Sequence, residues 1–114
     1  MNFELEKCIG IITATINYCH SHGAHDFDIK LKQNEDRLTT IIISCEVADL
    51  SEETLEYIVK RVTTHRQHEV EESYWGLSIE SEFGDELMLV GIMTDEASVE
   101  YENNILRIEL KRKE

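Results

Sequence analysis

The sequence contains no proline and only five glycines, which are scattered. It therefore has no stiff linker and no low-complexity tract to mark a domain boundary. No apolar run approaches the roughly 20 residues that a membrane-spanning helix requires. The opening MNFELEKC places two glutamates ahead of any apolar run, unlike a secretory leader. Cysteine is sparse and odd in number (Cys8, Cys19, Cys45). This argues against a disulfide framework and leads us to expect a reducing, cytoplasmic setting. Basic residues are missing altogether from Glu69 to Glu102, a stretch holding eleven acidic ones. With a net charge of −13, such a surface repels nucleic-acid backbones and anionic membranes, which excludes both as partners. A basic protein partner would suit it.

What is present is periodic. The 114 residues are 41% hydrophobic, enough for a single domain, 1–114, with one core. Leu5, Cys8, Ile9, Ile12, Ile16 and Cys19 recur at three and four residues and predict a first helix ending near Gly23. Phe27, Ile29 and Leu31 alternate with Asp28, Lys30 and Lys32, a strand pattern. Polar residues 34–37 form a turn, and a second strand over 38–47 carries Ile41, Ile43 and Cys45 on one face. Ser51, with Glu52 and Glu53 behind it, starts a second helix whose buried stripe is Leu55, Ile58, Val59 and Val62.

Beyond it, residues 67–74 read as a loop or a frayed continuation. Trp75, Leu77, Ile79 and Phe83 suggest a short helix or an apolar plug. The run 87–93 is apolar at every position, which we read as a central strand. A turn at 102–104 leads into a final strand with Leu106, Ile108 and Leu110 on one face. The fold expected is α+β: a two-layer sandwich of a mostly antiparallel four-stranded sheet with two main helices on one face.

The densest chemistry lies in NYCHSHGAHD, residues 17–26. Cys19, His22 and His25 can supply three metal ligands, with Asp26 or water as a fourth. The same residues also fit a buried cysteine beside solvent-facing histidines at a helix end. Tyr74 and Trp75 are candidates to anchor a partner protein. A homodimer is a second route, with the final strand pairing with its copy and Lys111, Arg112 and Lys113 meeting the acidic flank. No P-loop, dinucleotide-binding fingerprint, EF-hand or metalloprotease motif occurs.

In element order the chain resembles the ATP-binding domain shared by histidine kinases, gyrase-type proteins and anti-sigma-factor kinases. Asn17 matches the position of that family's magnesium-binding asparagine, and His20, His22 and Gly23 are similar to the end of its helix. The acidic residue expected four positions before Asn17 is Thr13, whose hydroxyl is no general base near neutral pH. Glu46 or Asp49 would receive the adenine amino group, though the glycines that follow in the family are missing. SEETLEYIV resembles the next helix. Trp75-Gly76-Leu77-Ser78-Ile79 resembles the phosphate-facing GLGLSI stretch with one glycine, Gly76, in place of several.

The resemblance implies a non-catalytic regulatory or interaction module on an ATPase-like scaffold, acting through protein contacts in signalling, with no cofactor of its own. The alternatives are an ATP- or ADP-binding protein using magnesium, with Asn17, Glu46, Asp49 and Gly76 at the site, and a small metal-binding module.

Overall fold

Helix α1 spans Glu4–Ser21 in the computed structural model, which describes residues 3–74 and 86–114. Its first turn carries Glu4 and Glu6, where negative charge suits the helix dipole. Its end is closed by backbone: Ala24 N–H reaches the Cys19 carbonyl and Gly23 N–H that of His20, both at 3.0 Å. This is a Schellman stop, and it needs the left-handed Gly23, whose φ is +92°.

The face that α1 buries is not quite the expected one. Glu4, Cys8, Ile11, Ala14, Thr15 and Cys19 are buried, whereas Leu5 and Ile9 are 46% and 50% exposed. The helix carries two neighbouring apolar stripes, and spacing alone does not say which one meets the sheet.

Strands β1 (His25–Gln33) and β2 (Leu38–Glu46) form the expected hairpin. Asn34 closes it, donating its N–H to the Leu38 carbonyl while its side-chain oxygen accepts the Leu38 N–H. Helix α2 (Glu52–Val62) begins at Ser51, whose hydroxyl accepts the Thr54 N–H at 3.1 Å. Two short helices follow, α3 (His68–Tyr74) and α4 (Glu86–Ile92). Residues 68–74 are thus helical rather than a loop.

Helix α4 is a larger correction. Its run of uninterrupted apolar residues has no period to distinguish a strand from a buried helix. Gly91 shows why the helix fits: a Cβ there would lie 2.0 Å from the Arg61 carbonyl oxygen, so α4 meets the end of α2 through bare backbone.

The third strand is instead β3 (Glu96–Glu102), turning at Asn103 and Asn104 into β4 (Ile105–Lys113). The four strands form one antiparallel sheet in the order β1-β2-β4-β3. Helices cover one face, where Ile41, Ile43, Cys45, Leu106, Ile108 and Leu110 build the core with Cys8, Ile11, Ile58, Leu87 and Val90. The expected α+β sandwich is therefore present, with an antiparallel sheet and helices on one side. The final strand is interior, paired on both edges, so it cannot pair with a copy of itself as the sequence suggested. Among the described residues no helix is long and apolar enough to cross a membrane.

Candidate metal centre

The Schellman turn buries Ala24 and delivers the chain to β1 with His25 as its first residue. His25 stands directly across from Glu46, the last residue of β2. The register then slips between His25 and Asp28, and Asp26 adopts a left-handed φ of +55° within the irregularity. The bulge swings the Asp26 carboxylate beside its neighbour. His25 Nε2 lies 3.6 Å from Glu46 Oε2 and 3.9 Å from Asp26 Oδ2.

One ligand atom from each of the three residues fits within 4.8 Å of the others. Two donors on one tetrahedral ion, bonded at about 2.1 Å, stand about 3.4 Å apart, so both contacts need close by only a few tenths of an ångström. The other ring nitrogen, Nδ1, is 3.5 Å from the Gly23 carbonyl. With the proton on Nδ1, the Nε2 lone pair faces the carboxylates. One imidazole and two carboxylates suit a divalent first-row ion, with open positions left for water. His25 is 63% exposed and Asp26 78%, so the centre is open to solvent.

The structure takes His25 from the expected Cys19, His22 and His25 set and gives it different companions. Cys19 is 1% exposed and packs against Cys45 in the core. A hydrogen bond to Cys45 and burial both push its thiol upward, the reverse of what a thiolate ligand needs. His22 lies edge-on to Tyr18, ring centroids 4.4 Å apart. Among the described residues His25, Asp26 and Glu46 form the only cluster of at least three metal-ligating side chains. The missing signal was long-range: Glu46 joins His25 only through the hairpin register.

The residues expected around a nucleotide are dispersed. Asn17 is on the exposed side of α1, in the helical layer. Glu46 follows the buried Cys45 by one residue and so points from the opposite face of the sheet. Asp49 sits exposed in the turn before α2, with φ of +53°. Thr13 donates its hydroxyl to the Ile9 carbonyl at 2.8 Å. Two surface depressions lie elsewhere, one against Glu96, Ser98, Glu109 and Lys111 and one along Leu55, Tyr57 and Lys60 of α2. Neither includes Asn17, Glu46 or Asp49. Trp75 and Gly76 lie outside the described residues, and Tyr74 is the last residue of α3.

A second cluster is internal. Arg112, only 2% exposed, donates Nε and Nη2 to the Glu4 carboxylate at 2.7 and 2.8 Å, and reaches Glu71 at 3.2 Å and the Met93 carbonyl at 2.6 Å. Arg66 joins Glu71 to Asp95 and to the Lys113 carbonyl, and Lys7 joins Glu71 to Glu72. Burial works to raise the Glu71 carboxyl, but Arg112 and then Arg66 outweigh it and hold it down to about 2. Arg112 was expected to be a surface cation meeting a partner. Its position was nonetheless legible, since it continues the inward alternation of Leu106, Ile108 and Leu110. Fully bonded on both sides, the cluster ties the last strand to the first helix and offers no free group for catalysis.

No known protein-family model matches the chain, and no curated protein matches it.

Proposed function

We propose that the protein is a small metal-binding module in which His25, Asp26 and Glu46 hold one divalent first-row cation at the start of the edge strand. The convergence of their ligand atoms within 4.8 Å carries this reading. The two carboxylates supply charge, and the imidazole supplies the nitrogen that discriminates against magnesium and calcium. Calorimetry of the untagged chain with zinc chloride tests it. One ion per chain is expected, lost in His25→Ala and in Glu46→Ala and kept in His22→Ala. No binding at millimolar zinc, or binding indifferent to His25 and Glu46, would sink it.

The element order favours a second reading: a non-catalytic regulatory module on a scaffold like that of the histidine-kinase ATP-binding domain, acting through protein contacts. Helix, hairpin, helix, short helices and hairpin on a one-sided sheet agree with it. Among the described residues any nucleotide role then rests on Asn17 and Asp49, since Glu46 faces away from the helices. Titration with ATP and ADP, with and without magnesium, decides that version. Binding abolished by Asn17→Ala and Asp49→Ala supports a nucleotide role, and no heat at millimolar nucleotide removes it.

A further inference from the structure

The two edges of the sheet differ. On the solvent face, β3 presents Glu96, Ser98, Glu100 and Glu102, and any pairing with its own copy sets carboxylates against each other. The opposite edge, β1, presents Asp28, Lys30 and Lys32 on that face and Phe27, Ile29 and Leu31 on the helical face.

The hairpin bond from Asn34 N–H to Leu38 sets the direction of the β1 backbone groups. Those of Asp28, Lys30 and Lys32 face β2, while those of Ile29, Leu31 and Gln33 face outward and, among the described residues, have no strand beside them. An antiparallel copy of β1 can use these outward groups in a few registers only. One is centred on Ile29, the midpoint of the strand. It sets Ile29 against Ile29 and Phe27 against Leu31 on the helical face, and Asp28 against Lys30 twice on the solvent face. Moving the dyad by one residue centres the pairing on Lys30, which sets Asp28 against Lys32 but apposes two lysines at the centre. Centring it on Leu31 sets Lys30 against Lys32 in both directions. The Ile29 register matches acid to base and apolar to apolar across 27–31 with no like-charge pair, whereas each of the other two apposes lysines.

The helical layer adds an independent observation. Glu4, Cys8, Thr15 and Cys19 of α1 face the sheet, while Lys7 reaches α3 and Tyr18 stacks on Tyr57 of α2. By helical geometry Leu5, Ile9, Ile12 and Ile16 then face the other way, over β1. That strand is under-covered, and its Ile29 is 46% exposed. In a pair of copies joined at β1, both helical layers lie on one side. Their α1 helices, each over β2, stand about 14 Å apart, three strand spacings. The gap is wider than direct helix packing at about 8–10 Å, and the two apolar stripes above the paired Ile29 side chains fill it.

We propose that β1 and the Leu5–Ile9 stripe of α1 form a homodimer interface, in which two copies pair antiparallel about Ile29 to build one continuous eight-stranded sheet. The occupant is a second copy because Asp28 and Lys30 are self-complementary across that dyad and the apolar stripe repeats on both sides of it.

Sedimentation equilibrium of the wild type, Asp28→Lys, Lys30→Asp and the double exchange tests this, with circular dichroism confirming that each is folded. The wild type is expected as a closed dimer. Each single reversal turns two attractive cross-strand pairs into repulsive ones and weakens dimerisation by about tenfold or more. The double exchange restores the wild-type constant to within about threefold. Three results overturn the proposal: a wild-type monomer at about 100 micromolar, an open-ended series of oligomers, or a dimer unaffected by the single reversals.

Discussion

Replacing Glu71 by Gln removes one charge from the buried cluster and leaves its size and shape. In the native state the Glu71 carboxyl is held down to about 2, against an ordinary value of 4.5. It therefore stays ionised when folded at pH values where the unfolded chain already binds the proton. Its contribution to stability is complete above about pH 5 and is lost as the pH falls from 4.5 toward 2. The size at neutral pH is about 3 kcal/mol. No discount for solvent screening applies, because Glu71 is 2% exposed. A domain of this length has about 5–15 kcal/mol in total, so the loss is a large fraction of it.

The variant also leaves Arg112 and Arg66 short of one negative charge, which breaking a buried pair makes costly. Glu4 and Asp95 still partner those two arginines, so the cost stays near 3 kcal/mol. Urea denaturation at pH 7, 5, 3.5 and 2.5 measures it. The wild type is expected to exceed Glu71→Gln by about 3 kcal/mol at pH 7, a gap that closes in acid as the wild-type carboxyl protonates. A gap under about 1 kcal/mol at pH 7, or one that persists undiminished in acid, would refute the electrostatic account.

Gly91→Ala drives a Cβ into the Arg61 carbonyl oxygen, 2.0 Å away. It should cost about 2–4 kcal/mol in urea midpoint stability, because backbone on both sides must move. Tyr101→Phe removes the hydroxyl that donates to the Val47 carbonyl at 2.6 Å and accepts the Leu50 N–H at 3.2 Å. A loss of about 1–3 kcal/mol is expected by thermal denaturation, since both backbone partners are left unmatched.

The parts of the fold that depend on local chemistry were readable from the chain. Ser51 before two glutamates marks a helix start, Gly23 a helix stop, and Phe27, Ile29 and Leu31 a strand, because each signal acts within a few residues. Three features needed tertiary information. Residues 87–93 are apolar throughout and so lack a period; only the close approach of Gly91 to α2 makes them a helix. Strand β3 is masked by its acidic face, with Ala97, Val99 and Tyr101 the sparse inward set. The stripe facing the sheet on α1 was ambiguous because Leu5 and Ile9, four apart, and Cys8 and Ile11, three apart, both fit a helical repeat. The candidate site follows the same division: His25 and Asp26 stand together in the sequence, whereas Glu46 reaches them through strand pairing.

The ambiguity on α1 bears on why the two sheet edges carry such different charge. An edge strand is a template for pairing, and acidic side chains are one way to close it. On β3 every solvent-face position except Ser98 is a glutamate, and α2 packs over the strand's helical side. Pairing there would stack carboxylates on one face and meet an already covered layer on the other. β1 carries neither protection: its solvent face mixes one acid, Asp28, with two bases, Lys30 and Lys32, and the helix beside it turns an apolar stripe outward. A chain with two open edges builds filaments, whereas one closed and one self-complementary edge terminates at two copies. In the proposed dimer, the surplus of acid on β3 and the second stripe on α1 therefore act together: one blocks pairing at the β3 edge and the other favours it at β1.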